Sequence, residues 1–190
     1  MQPTRIQVSA AAGAYPVVIG SGSLASLAQE MDAIGLGPRR IMVSSPKVWD
    51  LHGIRVRKAG SERAPILVED GERFKNTMTV ARVHEALIKA KADRLVVVVA
   101  VGGGVIGDLV GFAAATYLRG VRVVHVPTTL LAQVDSAIGG KTGVNHVLGK
   151  NLIGSFHPPS LVIADPDVLG TLHRREFRAG LYEVIKYGVI

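Results

Sequence analysis

Two stretches of this sequence hold residues of types and at spacings that can do chemistry. In "AGLYEVIKYGVI", residues 179–190, a helical reading puts Glu183 and Lys186 one turn apart on one face of an apolar run. Glu183 sits among Leu181, Val184 and Ile185, where an unpaired carboxylate is costly. Either Lys186 pairs with it or it serves as a metal ligand. In "DSAIGGKTGVNHVLGKN", residues 135–151, one polar stretch carries Asp135, Lys141, Lys150 and Asn151. Two ammonium groups, a carboxylate and an amide suit an oxygen-rich anion, and a solvated loop can have the same composition.

A third stretch, "AVGGGVIGD" at 100–108, follows an apolar run and opens a helical one. Gly102, Gly104 and Gly107 fit the G-x-G-x-x-G spacing. Such glycines let a phosphate reach the backbone at a helix N-terminus, or let a helix pack tightly on a strand. The acid that should follow about twenty residues on is missing, because 121–134 holds none. The acids of "EDGERFK", 69–75, stand at the end of an earlier strand, as ligand contacts or as a charged surface turn. Gly140, Lys141 and Thr142 imitate a P-loop, but Asp135 occupies the position where that loop needs glycine. The six histidines show no H-x-x-x-H or other metal spacing.

These residues need a scaffold. Short apolar runs read as strands over 6–9, 15–19, 40–44, 64–68, 95–101, 121–126 and 161–164. Periodic stretches read as helices over 24–34, 77–90, 105–118, 130–138 and 174–190. The alternation implies an α/β fold, a Rossmann-like parallel sheet with helices on both faces. "LVVVV" has no polar alternation and should be a central strand. Residues 139–159 read as a long polar loop, which in a compact domain is usually functional or mobile.

Composition narrows the function classes. The 190 residues suffice for one good domain, and 48% are hydrophobic. There is no cysteine, which excludes disulfides, thiolate nucleophiles and cysteine zinc sites. The N-terminus lacks the layout of a signal peptide, so a cytoplasmic setting is expected. Net charge is +7, yet basic residues come singly or in pairs, such as Arg39 with Arg40, which argues against a nucleic-acid arm. The apolar run 95–118 is long enough to span a bilayer. Its five glycines and mid-run Asp108 argue for a buried strand and helix instead, and no membrane partner is expected.

The stretches 100–120, 127–151 and 174–188 contain "GGGVIGDLVGFAAATYLRG", "PTTLLAQVDSAIGGKTGVNHVLGKN" and "REFRAGLYEVIKYG". Together they resemble the 3-dehydroquinate synthases of the sugar phosphate cyclase family. "MVSSPKVW", 42–49, departs from that family, which often has Asp and Asn there to hold the adenosine ribose. The resemblance implies an NAD- and zinc-dependent (or cobalt-dependent) lyase of the shikimate route. It would cyclise 3-deoxy-D-arabino-heptulosonate 7-phosphate to 3-dehydroquinate through transient oxidation, phosphate elimination and an aldol step.

It further implies cofactor contacts at Asp70, Gly71, Glu72, Arg73, Phe74 and Lys75, and at Gly104, Val105, Ile106, Gly107 and Asp108. Thr128, Thr129, Lys141, Lys150, Val168, Leu169, Gly170 and Thr171 complete that set. Asp135, Lys141, Asn151 and Lys186 resemble catalytic and substrate residues, Arg119 a phosphate contact reaching a neighbouring subunit of a homodimer, and Glu183 a zinc ligand. Residues 1–172 would be the NAD-binding domain. Residues 173–190 would open a helical metal and substrate domain, otherwise absent, that brings two histidine ligands. A related cyclase or a metal-dependent polyol dehydrogenase is the alternative.

Overall fold

The computed structural model describes residues 3–10, 13–60 and 64–190. Strand β5 (Val97–Gly102) is the centre of the architecture, and every one of its residues is buried. Successive side chains of a strand point to opposite faces, so an unbroken apolar strand needs cover on both. Val98 and Ala100 join one core with Ile106, Leu109 and Val110 of helix α4 (Gly104–Thr116) and Val80, Val83 and Leu87 of α3 (Thr77–Lys89). Val97, Val99 and Val101 join a second core with Leu27 and Met31 of α1 (Leu27–Ala33) and Val56 of α2 (Pro46–Gly60).

Around β5 runs a seven-stranded sheet in the order β1-β2-β9-β6-β5-β3-β4. Its other strands are β1 (Thr4–Ala10), β2 (Gly13–Ile19), β3 (Arg40–Ser44), β4 (Ile66–Leu67), β6 (Arg122–Pro127) and β9 (Leu161–Ala164). β1 and β2 form an antiparallel hairpin at one edge, and every other pairing is parallel. The Rossmann-like expectation with helices on both faces is what the chain adopts. β3 leads outward to β4, whereas β5 leads through α4 to β6 on the other side. The crevice of a parallel sheet opens at such a reversal, beyond the carboxyl ends of the strands.

Three expectations need correction. Residues 139–159 are chiefly a β-hairpin and not a loop: β7 (Lys141–His146) pairs antiparallel with β8 (Gly149–Phe156). Glycine hid it, because here glycine is needed for closeness. A Cβ on Gly111 of α4 would lie 2.5 Å from Thr142 Cγ2, and one on Gly154 would lie 2.3 Å from the Thr142 carbonyl oxygen. Helix α2 was not foreseen; Ser45 precedes it and its hydroxyl accepts from Val48 N at 3.4 Å. The helix expected over 130–138 is helical at 130–131 and then widens into a π-helix, Ala132–Ser136.

Helix α5 (Arg174–Val189) ends the fold, with Gly180 packed on Leu130. Among the described residues no helix is long and apolar enough to cross a membrane. Leu109 is wholly buried between α4 and the sheet. Leu109→Ala is expected to lower unfolding free energy by about 2–5 kcal/mol through the cavity it leaves. Chemical denaturation of the two proteins measures this directly.

Candidate functional site

A cleft of about 730 Å3 opens between α4, the π-helix and the hairpin, with Asp108, Asp135, Lys141, Asn151 and Tyr187 on its walls. Residues far apart in sequence reach it because the hairpin folds back over α4. Gly103 precedes α4 and supplies no side-chain cap, so the first N–H groups of that helix are left to other partners.

The wall is built around one buried cation. Lys75 is only 4% exposed, and its ammonium donates to Asp108 Oδ2 at 2.5 Å and to Asn151 Oδ1 at 2.6 Å. A buried ammonium persists only where its protons are satisfied, and these two oxygens do that. Burial pushes the Asp108 carboxyl above its ordinary value of 3.8; Lys75 pulls it down, and Glu72 and Asp135 push it further up.

On the opposite wall, the Tyr187 hydroxyl donates to Asp135 Oδ1 at 3.0 Å. That bond is the leading cause of the raised Tyr187 pKa. Lys186 pairs with Glu183 one turn away, and the hydrogen bond to Glu183 is the leading cause raising its pKa. Lys141 makes no ion pair with any described residue, which leaves a cation at the mouth.

The other anticipated residues lie around this centre. Asp70 and Gly71 form the turn after β4, with Gly71 at φ +104°, and Glu72, Arg73 and Phe74 make the short helix that ends at Lys75. Lys150 stands on the outer side of the hairpin, with Nζ 3.8 Å from Glu72 Oε1. Thr128 is buried and its N–H donates to the Gly102 carbonyl, while Thr129 Oγ1 accepts from Ala132 N.

Val105, Ile106 and Gly107 lie in the first turn of α4, and Ile106 is wholly buried. Residues 168–171 belong to a short helix, Pro166–Thr171, on the α2 side of the sheet; Val168 is buried there and Thr171 bonds His52 at 3.0 Å. Arg119, at φ +68°, follows α4 at the end away from the glycine loop and does not line its own chain's cleft.

Ser44 and Ser45, in the stretch that departs from the family's Asp and Asn, are buried. The Ser44 hydroxyl donates to the Val101 carbonyl at 2.8 Å. Glu183 has no company of metal-ligating type: no three His, Asp or Glu side chains gather anywhere among the described residues. Sequence reasoning missed Tyr187 and Asn145. Tyr187 lies beside Lys186, and a polar tip at that helical position was its available signal.

The 3-dehydroquinate synthase N-terminal family matches residues 65–179, and the chain belongs to this family. It is 51% identical over 189 residues to the 3-dehydroquinate synthase of Nostoc punctiforme, an alignment covering 97% of this chain and 52% of that one. A crystal structure of 2-deoxy-scyllo-inosose synthase with carbaglucose-6-phosphate, NAD+ and Co2+ aligns with TM-score 0.88 at 33% identity, covering 96% of this chain and 51% of the other. The 2-epi-5-epi-valiolone synthase of Streptomyces hygroscopicus, with NAD+ and Zn2+ bound, aligns with TM-score 0.82 at 38% identity, over 90% and 48%. The chain spans about half the length of the curated relatives it matches.

The raised Asp108 carboxyl sets a pH dependence. A group that holds its proton more tightly folded than unfolded stabilises fully below its ordinary value, here 3.8, and loses that contribution as pH rises through the folded value. Relative to the wild type, Asp108→Asn should therefore gain stability as pH climbs from about 4 to 7. Parallel urea titrations across that range check the slope. Lys75→Met, which strands the carboxylate, should cost about 1–3 kcal/mol near neutral pH.

Proposed function

We propose that this chain is the NAD-binding half of a cytoplasmic, homodimeric 3-dehydroquinate synthase. It would act on 3-deoxy-D-arabino-heptulosonate 7-phosphate, giving 3-dehydroquinate and phosphate. The observation that carries the reading is the meeting, in one cleft, of Asp135, Lys141 and Asn151 with Asp108 at the uncapped start of α4. Cations and amide groups there suit the phosphate and carboxylate of such a substrate.

The residues present fit a dinucleotide. The N-terminus of α4 carries unspent N–H groups and the positive end of the helix dipole, which favours a pyrophosphate. The 70–75 turn stands at the end of β4, beyond β3, where a ribose partner is to be found, since Ser44 and Ser45 are engaged internally. Asp70, Glu72, Lys75, Gly104 to Asp108, Thr128 and Thr129 would hold the cofactor, with Lys150 and residues 168–171 at its margins.

When bound, NAD+ supplies a transient hydride acceptor. Around it, Lys141 neutralises the substrate's anionic groups, Asp135 holds or moves a proton, and Asn151 orients an oxygen at the wall. The described residues do not complete a metal site: Glu183 is one carboxylate, held by Lys186, and three ligands or more are needed. Residues 173–190 would open the domain that brings the others. Arg119 would serve the cleft of a second copy.

Calorimetry should show NAD+ binding to this chain without added metal, and no phosphate release from the heptulosonate phosphate. A folded chain with no detectable NAD+ binding would sink the cofactor reading, and turnover by the chain alone would sink the view that it is a half-site. Joined to the remaining half of such an enzyme, it should release phosphate, and Lys141→Ala should lower kcat/KM roughly 10- to 100-fold. Release from another sugar phosphate but not from this one would assign it to a related cyclase.

A further inference from the structure

Asn145 sits where the hairpin breaks its own ladder. Val144 faces Ile153, but His146 faces Gly149, so the register slips between Val144 and His146 and Asn145 falls in the gap. It pairs instead with Asn76, in an isolated parallel bridge to the segment that carries Lys75. An irregularity of this kind turns a side chain out of the regular alternation, and such irregularities cluster beside active sites.

The freed groups of Asn145 are all spent across the gap. Its backbone N–H donates to the Lys75 carbonyl at 2.8 Å. Its Nδ2 donates to Glu72 Oε1 at 2.8 Å, and its Oδ1 accepts from the backbone N–H of Asn151 at 2.9 Å. That bond helps to select the backbone of Asn151, which stands at φ +55°, a left-handed conformation that asparagine tolerates better than most side chains but does not prefer to extended or helical backbone. Its side-chain oxygen then meets the Lys75 ammonium.

We propose that Asn145 is a positioning residue. It joins the 72–75 turn to the hairpin and holds Asn151 in its left-handed conformation, so that Lys75, Glu72 and Asn151 are presented to the ligands as one preformed wall. The part of this proposal that concerns ligands rests on the NAD-binding reading above; the part that concerns Asn151 does not. An asparagine is required for chemical reasons: the site needs an acceptor toward Asn151 and a donor toward Glu72 on one short side chain.

The test uses the 190-residue chain, with amide exchange read by NMR and NAD+ affinity by calorimetry. Asn145→Ala should speed exchange of the Asn151 amide at least about tenfold and leave the amides of α4 unchanged, since the loss is one supported hydrogen bond and not the fold. Asn145→Asp keeps the acceptor, so Asn151 stays protected, but it sets a carboxylate against Glu72. NAD+ binding should then weaken about tenfold, whereas in a chain that already carries Glu72→Gln the same Asn145→Asp change should weaken it far less, because the glutamine restores a donor.

An asparagine that did not act through Glu72 would show the same loss in both backgrounds. Equal Asn151 exchange in wild type and Asn145→Ala would overturn the proposal, as would an Asn145→Asp loss of NAD+ affinity that is the same with Glu72 as with Gln at position 72. Should Asn145→Ala not fold, retained protection of Asn151 in Asn145→Asp supports the proposal and its loss defeats it. A wild-type chain that binds no NAD+ counts against the cofactor reading, and the exchange results still decide the role of Asn145.

Discussion

The ammonium of Lys75 is the constraint on which the cleft depends. A cation buried so completely would be untenable alone, and its oxygen partners come from two other elements: Asp108 from the start of α4 and Asn151 from the hairpin. Satisfying one side chain therefore fixes three segments relative to each other. The sheet provides the coarse placement, because the 70–75 turn and the glycine loop both leave carboxyl ends of parallel strands. The hairpin belongs to no strand of that sheet, and its position is set by close packing on α4 and by the ties at Lys75, Glu72 and Asn145.

This arrangement explains why α4 is polar toward the cleft and apolar toward the sheet. α4 presents Leu109, Val110 and Ala113 to the sheet and Asp108 to the cleft, so one helix serves both as core and as wall. Lys75 offsets part of the cost of ionising Asp108 there, while burial still holds that carboxyl above its ordinary value, and Lys141 and Asp135 carry opposite charges on the same cleft.

Much of the architecture was legible because it follows from local pattern. An unbroken apolar strand must be central, and strand–helix alternation must wind into a parallel sheet, so β5, β6, β9, α3 and α4 were readable within a residue or two. The hairpin was not, since its glycines looked like loop punctuation while serving close approach to α4. The candidate residues could be named from motif resemblance, but their grouping could not. Asp108 and Asn151 lie 33 and 76 positions from Lys75. No spacing rule connects them, and only the pairing of distant strands brings them together. Asn145 was invisible for a related reason: its importance lies in a broken register, which a single strand does not display.

The glycine run illustrates how one feature serves packing and binding at once. A Cβ on Gly102 would lie 2.6 Å from Ile106, one on Gly103 2.9 Å from Thr129, and one on Gly104 2.9 Å from the Ser136 hydroxyl. All three contacts are with protein; at Gly102 the crowding involves the Ile106 Cβ itself and holds before any ligand arrives, whereas at Gly104 the Ser136 hydroxyl can turn aside. Yet the same closeness draws the loop down against β6 and the π-helix, and the helix begins with no capping side chain over its N–H groups. A serine or aspartate at position 103 would satisfy those groups internally and collide with Thr129 in doing so. Tight packing and a helix end without a capping side chain are thus two consequences of one absence of side chains, which is why the motif by itself could not distinguish between packing and binding.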